Sequence, residues 1–265
     1  MKTVKTRGKE IQIPDNISEL TPEQYEQFCY LGFALNSGII TPDYFCVRWL
    51  SYLVGLKKMD FVMLKPEFSS ELERQLPAVE SFLVRKHDAT TGLERIEADF
   101  SSVVNLLPEY RGYRGPEDLM MGVTFGDFVR CYSIIEGLGG SDEETTAAGY
   151  SEIARILYHI PEEEKVPELL IFHAPRFFLN VWETILATPI EINGKKIDFR
   201  IIFKSSSSER DDDKTGWTGI TFEVAGAGIF GDIERVRNAD FWEVMIYLYK
   251  CKFEYLREQS RNKHN

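Results

Sequence analysis

Residues that often carry chemistry are scarce in this sequence. It has four cysteines and four histidines among 265 residues, and all eight are isolated from one another. Zinc sites need convergent ligand pairs and disulfide frameworks need clustered cysteines, so the pattern predicts neither a metal centre nor disulfide bonds. We expect the cysteines to be reduced core residues.

Long apolar runs and excess positive charge are also missing. No stretch has the length needed to cross a bilayer, and the first residues lack the apolar core of a signal peptide. The net charge of −11 disfavours general nucleic-acid binding, which depends on Lys and Arg displacing counterions. We therefore expect a cytoplasmic protein without membrane contact. The cations from Lys250 to Lys263 are interleaved with acids and suit a solvated helix tail.

Familiar catalytic motifs are absent as well. There is no Gly-x-Ser-x-Gly nucleophile elbow and no His-Glu-x-x-His pair. His159 follows an apolar helix and His173 lies beside apolar residues, so both are expected to be structural histidines. The sequence thus predicts no catalytic residue, cofactor or metal. An enzyme assembled from distant residues stays open.

One glycine run resembles a dinucleotide-binding motif. Gly226, Gly228 and Gly231 form a literal Gly-x-Gly-x-x-Gly, the pattern that lets a backbone approach a pyrophosphate at a helix N-terminus. Its surroundings favour a different interpretation, because too few residues follow for the remaining strands and helices of such a domain. Trp217, Ile220 and Val224 also fit a helical face, which would make the glycines a helix end and a turn.

Two kinds of charged loop leave alternatives open. Arg111 and Arg114, with Gly112, Gly115 and Pro116, are either an anion-binding loop or a turn with two solvated arginines. The acidic clusters 162–164 and 211–213 lack the alternating ligand spacing of a calcium loop and are predicted to be solvated.

What the sequence does contain is a succession of capped amphipathic helices. Thr21-Pro22 with Gln24 predicts a capping box that opens a helix ending near Asn36. Thr41-Pro42 predicts a second helix closing at Gly55, with Tyr44, Val47 and Leu50 facing inward. A weaker helical pattern covers residues 66–84, and further helices are predicted over residues 175–187 and 240–258. The last is expected to bury Phe241, Val244, Met245, Leu248 and Cys251.

Short hairpins accompany these helices. Alternating residues around Arg7-Gly8 predict a short hairpin or an edge strand over residues 2–13. Asn193-Gly194 between alternating hydrophobics predicts another, because both residues tolerate the positive φ of a tight turn. The polar segment 205–216 is predicted to be a mobile loop, and residues 85–115 are left unassigned.

The predicted fold class is mainly α with small β-hairpins, in a single helical domain over residues 1–265. Residues 10–60 and 113–160 are either two pseudo-repeated helical hairpins or two unrelated pairs of capped helices, and residues 165–265 form a C-terminal helical extension that ends in a long helix.

The order of these features resembles a group of bacteriophage and prophage tail-assembly chaperone-like proteins. The matching segments are IQIPDNISELTPEQYEQFCYL (11–31), LLPEYRGYRGPEDLMMGVTFGDFVRCYSII (106–135), YSEIARILYHIP (150–161) and TGWTGITFEVAGAGIFGDIERVRNADFWEVMIYLYKCKFEY (215–255).

The resemblance implies a non-enzymatic virion-morphogenesis factor in the cytoplasm of the bacterial host. Such proteins bind a helical partner such as the tape-measure protein before the tail polymerises. The alternative within the same resemblance is a structural component of the tail or connector that is retained in the virion. A nucleotide-binding enzyme that uses the glycine run is a third hypothesis.

Overall fold

Helices dominate the structure. The computed structural model describes residues 1–6, 9–56, 66–87, 92–192, 194–203 and 215–262. These residues contain ten α-helices, and their strands pair only as two-stranded antiparallel hairpins. The predicted fold class, mainly α with small β-hairpins, is confirmed at that level. The contacts along the chain define two compact units, Met1–Ser102 and Val103–Asn265. The predicted single domain and its pseudo-repeats stay predictions.

The first unit combines two hairpins with three helices. In chain order its elements are β1 (Lys2–Thr6), β2 (Lys9–Ile13), a 3-10 helix (Ile17–Glu19), α1 (Pro22–Asn36), α2 (Pro42–Leu53), α3 (Pro66–Gln75), a 3-10 helix (Leu76–Phe82), β3 (Leu83–His87) and β4 (Glu94–Ala98). The hairpin predicted over residues 2–13 is confirmed, with Lys2 opposite Ile13. Its turn, Arg7-Gly8, lies outside the described residues.

The capping box of α1 is present as predicted. The Thr21 hydroxyl accepts the backbone N–H of Gln24, and the Gln24 side chain accepts the backbone N–H of Thr21. These two bonds satisfy N–H groups that a helix start otherwise leaves without partners. Thr41 caps α2 through the N–H of Tyr44. Both helix starts therefore follow from three or four adjacent residues.

The first unit is organised around the ring of Phe28 on α1. Its centroid lies 5.8 Å from Phe45 and 5.2 Å from Trp49, both on α2. Phe82 and Phe100 approach the same ring at 5.7 and 5.1 Å. Aromatic pairs at such distances gain about 0.5–1.5 kcal/mol beyond their buried area. Phe28 thus fixes the packing of α2 and of the segment after β4 against α1.

The inward face predicted for α2 is only partly right. Leu50 is buried as predicted, but Tyr44 is 49% exposed while Phe45 and Trp49 are fully buried. The helix is turned by about one residue, or 100°, from the predicted orientation. The two aromatic rings that meet Phe28 set this rotation, which local periodicity could not reveal.

The weak helix predicted over residues 66–84 is divided in the structure. Helix α3 ends at Gln75, and a 3-10 helix with Pro77 near its start continues to Phe82. The residue before a proline is disfavoured in the α conformation, which accounts for the change. Residues 85–115, left unassigned from sequence, supply the end of β3, the strand β4 and the first strands of the second unit.

The second unit is a helical assembly with two further hairpins. Its elements are β5 (Glu109–Tyr110), β6 (Tyr113–Arg114), a 3-10 helix (Asp118–Met120), α4 (Phe125–Gly137), α5 (Glu143–Tyr158), α6 (Glu168–Ala187), β7 (Ile190–Ile192), β8 (Lys195–Ile197), α7 (Arg200–Phe203), α8 (Gly216–Gly226), α9 (Ile233–Asn238) and α10 (Phe241–Asn262). The ring of Phe128 on α4 lies 4.5 Å from Phe241 and 4.9 Å from Trp217. This ring links α4 to α8 and α10.

Two helix predictions in this unit need correction. The helix predicted to begin at residue 175 begins at Glu168, and Pro175 lies buried inside it. The prediction placed the proline at a helix start, where its missing N–H costs least. Cys251 was predicted to face the core but is exposed, because α10 is buried only at its beginning.

The second predicted tight hairpin is confirmed. Ile192 pairs with Lys195, so β7 and β8 are joined by a two-residue loop, and Gly194 has a φ of +73°. Asn193 itself lies outside the described residues. Most of the loop predicted at residues 205–216 is also outside them, while Gly216 begins α8.

The close packing around Gly32 on α1 leads to a prediction about stability. A Cβ atom there would lie 2.6 Å from a ring carbon of Phe100 and 2.9 Å from the Cβ of Ala98. We expect Gly32→Ala to lower the free energy of unfolding by about 1–3 kcal/mol, since overpacking outweighs the gain in helix propensity.

The control is Gly137→Ala in α4, where an added Cβ meets nothing within 4 Å. This variant should leave stability unchanged or raise it by up to ~1 kcal/mol. Urea unfolding of both variants tests the prediction. Equal or greater stability of Gly32→Ala would contradict the close packing of α1 on Phe100.

Candidate functional site

A groove in the first unit runs between the antiparallel helices α1 and α2. It contains a cavity of about 410 Å³. Its lining mixes apolar and polar side chains: Gln27, Leu31, Arg48, Ser51, Tyr52 and Leu56. Tyr52 reaches from α2 to α1, where its hydroxyl donates to the carbonyl of Glu23 at 3.3 Å. A groove between two helices with this mixed lining suits an amphipathic helix.

The floor of the groove consists of stacked and buried side chains. Tyr52 stacks on the buried ring of Trp49, with centroids 5.6 Å apart and planes 14° apart. Ser51 is buried, and its hydroxyl donates to the carbonyl of Val47 at 2.6 Å. The Nε1 of Trp49 finds no acceptor among the described residues, so this ring is held by packing alone. The groove is therefore a preformed surface.

Two exposed tyrosines extend the lining at its margins. Tyr30 is 63% exposed and lies one helical turn from Gln27, while Tyr44 is 49% exposed and lies one turn from Arg48. Tyrosine offers a rigid apolar ring with a polar tip, and it is enriched at protein interfaces for that reason. Together the groove and these rings form what we call the α1–α2 groove surface.

The α1 margin of this surface is acidic. Glu23 is exposed on α1, one helical turn from Gln27. The pKa of Glu23 is lowered by hydrogen bonds to its own backbone and to Thr21, so its carboxylate is ionised at neutral pH. A cation on a bound helix would meet this carboxylate. Arg48, half-buried on α2, would favour an acid on the other side.

A different polar cluster lies buried in the second unit. Asn105 Nδ2 donates to the carbonyl of Pro116 at 2.6 Å, and its Oδ1 accepts the N–H of Leu107 at 2.9 Å. The same Oδ1 is 2.8 Å from Nε2 of His173, which therefore carries the proton as donor. Tyr158 donates to the carbonyl of Leu107 at 2.8 Å. One amide side chain thus connects α5 and α6 to the chain around β5 and β6.

The geometry gives this cluster a structural role. Burial, with a smaller contribution from Arg176, lowers the pKa of His173 to about 3. The ring is neutral at physiological pH and is satisfied by Asn105, as a structural histidine would be. His159 ends α5 in the left-handed conformation, with a φ of 50°, which agrees with the predicted helix end.

The glycine run is a helix end followed by turns. Gly226 is the last residue of α8, and Gly228 and Gly231 have positive φ values of 75° and 93°. A helix precedes the run where a dinucleotide-binding fold has a strand. Asp232 then caps the six-residue helix α9. The cofactor assignment of these three glycines stays a prediction, and a helix rather than a strand precedes them.

The arginine loop forms the turn of the β5–β6 hairpin. Arg111 and Gly112 both have positive φ, 53° and 87°, as a type I′ turn requires. The Arg111 guanidinium lies 5.3 Å from the ring centroid of Tyr110. Gly115 is needed for a different reason, which is space: a Cβ atom there would lie 2.5 Å from the ring of Tyr158. The loop thus matches the interpretation as a turn with exposed arginines.

The acidic cluster Glu162–Glu164, which the structure describes, shows no assembled ion site. Glu164 accepts a hydrogen bond from the Tyr113 hydroxyl, and its neighbours Glu162 and Glu163 are exposed. Asp211–Asp213 lie outside the described residues. Among the residues that the structure describes, no group of three or more His, Cys, Asp or Glu side chains could hold a metal ion.

Comparison with protein-family models, curated proteins and solved structures gives no match for this chain. Its function must therefore be argued from its own surfaces. Within the described ranges, no helix is long and apolar enough to span a membrane.

Sequence patterns did not identify the groove. Leu31 continues the apolar spacing of Tyr25 and Phe28 along α1, but it is half-buried and lines the groove. Tyr52 and Arg48 carried no motif. The usable signal was the pair of threonine-proline caps, which predicts two adjacent helices and hence a groove between them, without its lining.

The buried state of His173 predicts a pH dependence. Its folded pKa of about 3 lies below the ordinary histidine value of 6.5. The stability it contributes is fully present above pH 6.5 and is lost as the pH falls towards 3, because the unfolded chain takes up a proton that the folded chain excludes. Lowering the pH from 7 to 5 should therefore reduce the free energy of unfolding by about 2 kcal/mol.

Urea unfolding of the wild type and of His173→Gln at both pH values checks this. Glutamine keeps a donor for Asn105 but cannot titrate. The His173→Gln variant should therefore lose about 2 kcal/mol less stability than the wild type between pH 7 and pH 5. The exposed His87, changed to Gln, is the control and should behave as wild type. Equal pH dependence in all three chains would contradict the burial of a neutral His173.

Proposed function

We propose that this chain is a non-enzymatic assembly factor that binds an amphipathic helix of a partner protein in the α1–α2 groove. The observation that carries the proposal is the preformed groove with Tyr30 and Tyr44 exposed at its margins. Apolar anchors at positions i, i+3, i+4 and i+7 of the partner helix would contact Leu31 and Tyr52.

Charge gives the partner a preferred orientation. The carboxylate of Glu23 favours a Lys or Arg beside the partner's apolar stripe on the α1 side. Arg48 favours an acidic residue on the α2 side. Such complementary charges act more on orientation and association rate than on affinity. The apolar contact in the groove supplies most of the binding energy.

The proposed setting is bacteriophage tail assembly in the cytoplasm of the bacterial host. It is supported by the sequence resemblance to tail-assembly chaperone-like proteins. In this role the partner is the tape-measure protein, whose hydrophobic helices must be shielded from solvent before the tail polymerises. A groove that accepts an amphipathic helix is the surface such a role requires.

The two pseudo-repeated hairpins are part of the same proposal. In each unit a 3-10 helix is followed by a threonine that caps an α-helix, Thr21 before α1 and Thr124 before α4. A second helix then follows in both units. This shared order supports a duplicated helical hairpin within one helical chain.

A structural component of the tail or connector is the second candidate. It is favoured by a second exposed apolar surface, on the distal half of α10, since a component of an ordered assembly needs at least two contact surfaces. Mass spectrometry of purified particles separates the two. A chaperone should be missing from mature virions, and a stoichiometric amount of this chain in them would favour the structural role.

Leu31→Arg tests the groove directly. An arginine at this half-buried position would place a charge where an apolar anchor binds, so we expect affinity for a tape-measure protein to fall by at least about tenfold. The measurement is co-purification after co-expression, followed by calorimetry with the bound segment.

Phe33→Arg is the matched control. Phe33 is 58% exposed on the same helix, about 200° round the axis from Leu31. This variant should bind as the wild type does. Failure of the wild-type chain to associate with the tape-measure protein would refute the chaperone proposal, and equal losses in both variants would refute the groove as its site.

A further inference from the structure

A turn between the β5–β6 hairpin and α4 has a strained backbone. Leu119 has a φ of 56° and a ψ of 27°, and the next residue, Met120, has a φ of 58°. Both residues are in the left-handed region, where the Cβ atom of an L-residue comes too close to the following carbonyl oxygen. Residues 117–121, which we call the 117–121 turn, therefore hold a conformation that their own side chains disfavour.

Hydrogen bonds to distant residues hold this turn in place. The backbone N–H of Leu119 donates to the carbonyl of Val103 at 2.8 Å, and the carbonyl of Leu119 accepts Nε1 of Trp242, on α10, at 2.9 Å. The Asp118 carboxylate accepts the backbone N–H of Asn105 at 2.9 Å. A strained backbone persists only where its surroundings impose it, and these bonds supply that constraint.

The turn keeps one methionine in the core and leaves the next at the surface. Met120 is fully buried, whereas Met121 is 43% exposed. The N–H of Met121 donates to the carbonyl of Asp118 at 3.1 Å, and the carbonyl of Met121 accepts the N–H of Glu117 at 3.0 Å. Because these two bonds span Leu119 and Met120, a change of φ at those residues breaks both bonds and moves Met120 out of the core.

The chain that follows the turn is fixed to the start of α10. The N–H of Phe125 donates to the carbonyl of Ala239 at 2.8 Å, and the N–H of Phe241 donates to the carbonyl of Val123 at 3.0 Å. Gly122, with a φ of 81°, lies between the turn and this fixed segment. Glycine accepts a change of backbone conformation at the lowest cost, so a movement of the turn can end at this residue.

The 117–121 turn also forms one wall of a cavity of about 250 Å³. Glu117, Met121 and Gly122 lie on this wall, and the C-terminal end of α5 contributes Leu157 and His159. In the described part of the chain four non-glycine residues have positive φ; two of them form the turn, and a third, His159, lines the cavity. Such residues concentrate at ligand clamps and switch regions.

We propose that the 117–121 turn is a two-state switch, closed by the hydrogen bond from Trp242 and opened when Leu119 and Met120 relax to negative φ. In the open state Met120 leaves the core and the wall of the cavity moves. The beginning of α10 thus controls the cavity, because it carries the tryptophan that closes the turn. A ligand of either site shifts the balance by its difference in affinity for the two states. The switch lies in the second unit and does not depend on the α1–α2 groove.

Oxidation by hydrogen peroxide measures the opening, because a buried thioether reacts only when it becomes exposed. Tandem mass spectrometry of the folded wild-type chain should show fast oxidation of Met121 and slow oxidation of Met120. Trp242→Phe keeps a ring in the core but removes the donor to Leu119. It should speed the oxidation of Met120 by about two- to tenfold, as the loss of one net hydrogen bond implies, and leave Met121 unchanged.

Hydrogen exchange extends the test to the wall of the cavity. The backbone N–H groups of Glu117 and Met121 form their bonds within the turn and should exchange faster in Trp242→Phe by the same factor. The N–H of Phe128, in the first turn of α4, is the internal reference and should keep its rate.

Two variants of Leu119 separate backbone strain from the loss of a side chain. Leu119→Ala keeps a Cβ atom, and Leu119→Gly removes it. Oxidation of Met120 should be slower in the glycine variant by about threefold or more, since glycine adopts positive φ without the steric penalty. At an unstrained position the order is reversed, because glycine gives the open state more conformational freedom.

Arg111→Gly is the matched control for these variants. Arg111 also has a positive φ, 53°, but it lies in the β5–β6 turn. The same relief of strain there should leave the oxidation of Met120 as it is in the wild type.

Urea unfolding of the same chains distinguishes local opening from global unfolding. Met120 of the wild type should oxidise faster than the unfolded fraction of the chain allows. Oxidation only as fast as the whole chain unfolds would overturn the proposal, and so would equal rates in the wild type and a folded Trp242→Phe. A glycine variant that reacts as fast as the alanine variant, or faster, would overturn it as well, and this comparison needs no change at Trp242.

Discussion

The packing of four aromatic rings around Phe28 is the constraint on which the proposed site depends. Phe45 and Trp49 bring α2 against α1, and Phe82 and Phe100 close the other sides of the same ring. This cluster fixes the rotation of α2, and through the stack of Tyr52 on Trp49 it also fixes the floor of the groove. The same aromatic contacts thus form the core of the first unit and position its proposed binding surface.

Elements determined by a few adjacent residues could be predicted from the sequence. The capping box at Thr21 needs only four residues, and the hairpin at residues 190–197 needs only a turn that tolerates positive φ. The left-handed helix end at His159 and the turns in the glycine run belong to the same class. Local chemistry is sufficient in each case, because the hydrogen bonds involved close within one turn.

Features set by distant residues could not be predicted. The buried face of α2 depends on Phe28, one helix earlier, and the burial of Asn105 depends on His173, 68 residues later. Cys251 was assigned to the core because the periodicity of α10 continues, although its packing partners do not. Periodicity shows which side of a helix is apolar, but only the tertiary contacts show where that side meets another element and where it meets solvent.

The central claim is that a partner helix occupies the groove between α1 and α2. Site-specific photo-crosslinking tests it most directly, with a photoreactive phenylalanine analogue at position 31 or at position 33 during co-expression with the tape-measure protein. The account predicts a crosslink to that protein from position 31 and little or none from position 33. Crosslinks of equal yield from both positions, or from position 33 alone, would contradict it.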